Sequence, residues 1–296
     1  MKQLFTPLGI DHLTVACNNN EFWSARLERL GFIRVCAKNS EYDTFFGVGL
    51  QLNNTCIFLV DPKTKRFEMG YIKTFLRTCG NMQVAEVAIR VDSIRQANEE
   101  CSERNMYSLV PHCYFEDTFG DCIAAPFSFS AHSTFQYTVV ERHRPFGQGI
   151  DHIAIAVDDI SRWVTHYKLW GFETVYTPRE KEEGLVEGKR SAMKTYALRR
   201  GGWTVALVEG VNQRRRSQIT TYVNLHGEHS AHHAALLFTN LPCVVASYVH
   251  AGVGFRLHKI PSPDETVGIE HILHGGKDDK GDLLQCFTKP FARKQG

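Results

Sequence analysis

Gly149-Ile150-Asp151-His152-Ile153-Ala154-Ile155-Ala156-Val157 reads as a buried strand. β-Branched and small apolar residues fill it, a glycine precedes it and Asp158-Asp159 stops it. One histidine sits near its start. The same word occurs 140 positions earlier as Gly9-Ile10-Asp11-His12-Leu13-Thr14-Val15-Ala16. The offset then holds without a gap: Trp23 matches Trp163, Gly31-Phe32 matches Gly171-Phe172, and Val35 matches Val175. Such a constant offset marks an internal duplication. Two domains are expected, 1–145 and 146–296, with the chemistry in the second.

Each copy divides again. In the first, a strand at 9–16 is followed by a helix at 20–30, with Gly31 where a C-cap glycine belongs. Strands follow at 32–36, 43–50 and 55–60. A second unit has a strand at 84–91, a helix at 94–104 and strands at 121–128 and 134–142. The second copy repeats the plan: helix 160–169, strand 172–176, and a hairpin of 192–198 and 203–208 turning at Arg200-Gly201-Gly202. Residues 212–225 read as a link to a last unit, with a strand from His232, a helix at 241–251, a strand at 254–260 and a turn and strand at 278–288. The expected class is α+β, built of tandem βαβββ modules. Two such modules can pair into an open barrel whose first strands face each other across a cavity.

Composition bounds the function. Apolar residues make up 43% and charged residues 22%, the mix of a globular protein. With 34 basic against 32 acidic residues, charge gives no reason to expect nucleic acid or a membrane surface as a partner. Arg214-Arg215-Arg216 reads as a solvated linker. No apolar run is long enough for a membrane span, and residues 1–7 lack the apolar core of a signal peptide. The nine cysteines are odd in number and form no Cys-x-x-Cys pair, which points to a reducing, cytoplasmic setting rather than a disulfide framework.

His152 lies on the first strand of one module, and His233 at the same place on the first strand of the next. A lone strand histidine is most often a hydrogen-bonded core residue. Two at equivalent repeat positions could converge in one cup. Two neutral imidazoles plus a carboxylate, with open positions opposite, form a non-haem ferrous site. His226, His229 and His232 crowd the same segment and read as loop residues or as partners that orient a ligand imidazole. His12 is the repeat partner of His152, but Glu86 stands where the second histidine would be, so His12 reads as a record of the duplication.

With these words in hand, the chain resembles the vicinal-oxygen-chelate superfamily, and within it 4-hydroxyphenylpyruvate dioxygenase and hydroxymandelate synthase. The resemblance rests on Gly149-Ile150-Asp151-His152, on Ser217-Gln218-Ile219 leading to His233-Ala234-Ala235-Leu236, and on Leu283-Leu284-Gln285-Cys286-Phe287-Thr288-Lys289-Pro290. It continues through the first copy at Phe119-Gly120-Asp121 and Val139-Val140-Glu141-Arg142. It implies glyoxalase/dioxygenase-like open-barrel domains and an Fe(2+)-dependent dioxygenase that decarboxylates a 2-oxo acid and hydroxylates the product. The implied partners are that 2-oxo acid and O2, and a homodimer is left open. His152 and His233 are the implied metal ligands; Gln218, Gln285 and Phe287 are the implied substrate contacts. No catalytic side chain is expected beyond the metal centre.

In that family the third ligand is a glutamate on a strand after the Lys-Pro, covered by a lid helix. This sequence ends at Phe291-Ala292-Arg293-Lys294-Gln295-Gly296 without them. The third ligand is therefore expected from Gln285, which fills the glutamate slot of an Asp-x-x-Gly-x-x-x-Glu spacing, or from Glu209, with Glu270 after it. Two other readings stay open: a non-catalytic binding paralogue that lost its metal site, and a ring-cleaving dioxygenase or isomerase on the same fold.

Overall fold

The structure is a computed structural model; it describes residues 5–37, 47–61, 70–104, 107–108, 113–117, 120–128, 133–142, 149–176, 185–187, 192–238, 241–250, 276–278 and 281–283. The first module runs β1 (Gly9–Ala16), α1 (Asn20–Glu28), β2 (Ile33–Ala37), β3 (Gly47–Leu52) and β4 (Thr55–Val60). Helix α2 (Gly70–Cys79) leads to the second: β5 (Gln83–Val91), α3 (Ile94–Glu103), β6 (Tyr107–Ser108), β7 (Cys113–Asp117), β8 (Gly120–Ser128) and β9 (Gln136–Arg142). The third is β10 (Ile150–Val157), α4 (Ile160–Leu169), β11 (Glu173–Tyr176), β12 (Leu185–Glu187), β13 (Ala192–Arg200) and β14 (Trp203–Val211). Helix α5 (Gln218–His226) leads to β15 (Ser230–Leu236) and α6 (Leu241–His250), and β16 (Gly276–Asp278) pairs with β17 (Gly281–Leu283). The expected strand at 254–260 lies outside the described residues.

Local chemistry sets the helix ends. Asn19, Ser93, Asp159 and Ser217 each accept a backbone N–H of the helix they start, as short polar N-caps do. Gly31 and Gly171, at φ 87° and 79°, end α1 and α4 in the left-handed region that a Cβ disfavours. That turn brings Phe32 N back to Leu27 O and Phe172 N back to Tyr167 O, and seats both phenyl rings in the core.

Each module's first strand lies parallel to its last, as β1 does to β4, β5 to β9 and β10 to β14. The remaining edge of β1 is taken by β5, antiparallel, and that of β10 by β15. The first strands are therefore bonded neighbours, not strands opposed across a cavity as the sequence reading had it. The cause is backbone satisfaction: a central strand buried on both sides must pair both edges, and its twin supplies the second. The halves join where Ile10 sits opposite Ile150, so β1 to β15 form one sheet.

One core spans both copies. Ile153, Ile155 and Val157 of β10 pack with Val87, Ile89 and Val91 of β5 and with Trp163 and Tyr167 of α4. Two buried polar ties cross the junction. Arg200 on β13 donates to both carboxylate oxygens of Glu100 on α3 at 2.8 Å, and also to Phe5 O and Trp170 O. Glu100 Oε1 further accepts from Arg104 at 2.7 Å. His229, fully buried, stacks on Trp163 with ring centroids 3.8 Å apart; its Nδ1 lies 2.8 Å from Ser133 Oγ and its Nε2 3.0 Å from Tyr167 Oη. His229 is thus a core residue rather than a loop histidine.

Removing the Glu100 carboxylate strands Arg200, whose side chain is 1% exposed. Glu100→Ala is expected to cost about 3–5 kcal/mol in urea unfolding, and adding Arg200→Met should recover part of it. Burial, and after it the charge of His166, push the His229 imidazole down to about 3 from 6.5. As pH falls from 6.5 toward 3 the unfolded chain gains a proton there that the folded chain refuses, so stability drops through that window. Thermal unfolding at pH 7 and pH 4 should show this drop, with a smaller one in His229→Asn; equal drops in both proteins would contradict it.

Candidate metal centre

On β10 the residues Ile153, Ile155 and Val157 enter the core, which turns His152, Ala154 and Ala156 to the other face. On β15, His233 pairs with Ala154 and Ala235 with His152. The two histidines are therefore diagonal neighbours on one face, a spacing that long side chains bridge. Their ring centroids are 6.0 Å apart and the rings stand 72° to each other.

Each histidine follows a break in register. Ile150 pairs with Leu236 and His152 with Ala235, which leaves Asp151 without its own partner position. On the other strand, Ala154 pairs with His233 and Ile155 with Ala231, which leaves His232 without one. These are β-bulges, and an extra residue re-aims its side chain toward that of the next. Asp151 Oδ2 lies 2.6 Å from His152 Nδ1, and His232 Nδ1 lies 2.9 Å from His233 Nδ1. Burial alone would raise the Asp151 pKa; the hydrogen bond and charge of His152 outweigh it and hold the carboxyl below its ordinary value.

The first copy keeps the geometry and changes the chemistry. Register breaks at Asp11 and at Ala85, the places of Asp151 and His232. His12 Nδ1 lies 2.7 Å from Asp11 Oδ1, and Asp11 is clamped by Arg142 through two donors at 2.7 and 2.8 Å. Glu86 replaces His233. It accepts from Thr14, Gln136 and Thr138 at 2.8–3.0 Å, and His12 Nε2 is 3.7 Å from it. The carboxylate is saturated by hydroxyl and amide donors, so this pair is a closed polar network.

The other expected site residues fall elsewhere. Glu209 stands opposite Val157, five residues along β10 from His152, or about 16 Å. Its Oε2 accepts the Ile160 backbone N–H at 2.7 Å and caps α4, as Glu141 does for Ile94 on α3 at 2.8 Å. Glu209 is thus a helix cap, not a neighbour of the histidines. Gln218 is the exposed first residue of α5, which packs through Ile219 on Ala156 and Val208, at the end of β10 away from His152. Gln285, Phe287 and Glu270 lie outside the described residues. Among the described residues no three His, Cys, Asp or Glu side chains gather to hold a metal ion. The donor set present is two imidazoles, each with Nδ1 engaged, which suits Nε2 ligation of a divalent first-row metal at two positions.

Sequence reasoning missed α5, the bulges and the part Asp151 plays. The repeated Asp-His word and the Ser217 cap preceding an Ile/Tyr/Val/Leu stripe were the available signals.

No family model and no curated protein matches the sequence. Solved structures do. A triple mutant of 4-hydroxymandelate synthase from Streptomyces coelicolor matches with a TM-score of 0.71 at 17% identity, over 86% of this chain and 78% of its own. A xylose isomerase-like TIM barrel/4-hydroxyphenylpyruvate dioxygenase fusion protein matches with a TM-score of 0.62 at 18% identity, over 97% of this chain and 48% of that one. This chain therefore spans about half the length of the fusion protein. At such identities the likeness speaks to fold. With its paired βαβββ modules, the chain has the vicinal-oxygen-chelate fold, duplicated in tandem.

Proposed function

We propose that this chain is a non-haem Fe(II)-dependent oxygenase of the 4-hydroxyphenylpyruvate dioxygenase type, acting on a 2-oxo acid through its second copy. The observation that carries the reading is the diagonal pair His152 and His233, each imidazole held at Nδ1, on one face of two adjacent strands. Those two residues would hold the iron, with Gln285 the proposed third ligand. The iron would supply a Lewis-acidic centre at which a 2-oxo acid and O2 meet, decarboxylation and hydroxylation following.

The chain's own residues prepare that site. Asp151 fixes the tautomer of His152 and strengthens its Nε2 as a donor. Gln218, Gln285 and Phe287 are the proposed substrate contacts. The contacts at Nδ1, from Asp151 to His152 and from His232 to His233, keep both rings from swinging away. Such rigidity is what a metal centre needs, because ligand geometry must be set before the metal arrives.

The test is metal loading under anaerobic conditions. Purified protein is expected to take up near-stoichiometric ferrous iron and to develop a new visible charge-transfer band as 2-oxo acids are added. His152→Ala and His233→Ala should each abolish uptake while far-UV circular dichroism stays unchanged. Stoichiometric iron in both variants would sink the assignment of ligands. A folded wild-type protein with no iron and no oxygen uptake would move the reading to a non-catalytic binder, and oxygen uptake with catechols alone would move it to ring cleavage.

A further inference from the structure

We infer that His232 is a positioning residue of the metal centre: it accepts a hydrogen bond from His233 Nδ1–H and so reserves His233 Nε2 for the cation. This rests on the reading of His152 and His233 as ligands. The geometry behind it is independent of that reading.

The two histidines occupy matched environments. Each is preceded by a residue that the pairing register skips, Asp151 on β10 and His232 on β15. In a regular strand consecutive side chains point to opposite faces and do not meet. Here they do meet, with Asp151 Oδ2 2.6 Å from His152 Nδ1 and His232 Nδ1 2.9 Å from His233 Nδ1. The bulge is thus used twice, once on each strand, for the same contact. Two nitrogens at 2.9 Å need one proton between them. If His233 carries it on Nδ1, its neutral ring presents a lone pair at Nε2, and His232 is then protonated on Nε2. The reverse arrangement would put a proton on His233 Nε2 and block ligation.

The His232 ring is itself held. It sits edge-on to Tyr222 of α5, with centroids 4.7 Å apart, and the Tyr222 hydroxyl donates to the Ala231 carbonyl at 2.6 Å. The first copy gives the control. Its skipped residue is Ala85, followed by Glu86, a carboxylate that needs no tautomer set. The imidazole at the bulge thus accompanies the imidazole after it. Ala85 is also fully buried in this position, which shows that the bulge tolerates a methyl group. His232→Ala should therefore fold.

Two readouts separate this inference from the function it rests on. In the metal-free full chain labelled with 15N-histidine, long-range 15N–1H correlation should show His233 as the Nδ1–H tautomer, and His232→Ala should shift it toward Nε2–H. Co(II) titration should show a loss of affinity of about 10- to 100-fold in His232→Ala, with His232→Asn, which keeps an acceptor, recovering much of it. An unchanged His233 tautomer in His232→Ala overturns the inference, whatever the metal does. A wild-type protein that takes up no Co(II) but shows the tautomer shift keeps the positioning role and removes the metal. Equal Co(II) affinity in wild type and His232→Ala removes the role at the metal.

Discussion

The antiparallel pairing of first strands, β1 with β5 and β10 with β15, is the constraint on which everything else rests. β1, β5 and β10 are buried on both faces, so both backbone edges of each must be bonded. For each of these three its own last strand takes one edge and its twin takes the other. Side-chain direction follows from that pairing with a period of two, and a slip of one residue would turn His152 into the apolar core and Ile153 onto the site face. The hydrophobic residues that fill the core thereby fix where the histidines point.

The duplication separates architecture from chemistry. Both copies keep the bulged Asp-His pair, and both keep a bulge on the partner strand. What differs is what they carry: Ala85-Glu86 opposite Thr14 in one, His232-His233 opposite Ala154 in the other. Glu86 beside Thr14, Thr138 and Gln136 makes a self-satisfied network, and Arg142 pairs with Asp11. In the second copy a second imidazole stands in place of that carboxylate and Ala154 in place of Thr14, which leaves two imidazoles as the donors on the face. A few substitutions on a shared bulged backbone, Ala154 for Thr14 among them, thus separate a structural polar knot from a candidate ligand pair.

Much of this was legible in the sequence because it depends on short-range signals. The repeated word gave the duplication, the run of β-branched and small apolar residues gave β10, and Gly31 marked a helix end. The first-strand histidines were found for the same reason. Bulges were not legible, because they are properties of a pairing and not of one strand: Asp151 and His232 look like ordinary alternating residues until Leu236 and Ala231 fix the register. Helix α5 was read as a linker, since its Thr220-Thr221 and Asn224 weaken the apolar stripe and its order comes from packing on Ala156 and Val208. Glu209 suggested a ligand by its strand-end place, yet the backbone N–H at the start of α4 claims it.

The first copy does more than repeat the second. The segment from Tyr222 to His233 carries both histidines of β15, and residues of the first copy grip it at three places. Gln83 Oε1 meets the Tyr222 hydroxyl at 2.6 Å, the Cys79 carbonyl meets His226 Nδ1, and Ser133 and Thr134 meet the ring and carbonyl of His229. His229 adopts a positive φ of 51°, a conformation that costs a non-glycine residue and holds only where its surroundings over-determine it. That strained corner is what starts β15, and the buried Ser133–His229–Tyr167–Tyr137 chain of hydrogen bonds fixes it. The register of His232 and His233 is therefore set from outside their own module. A first copy without a ligand pair of its own still determines where the second copy's imidazoles stand.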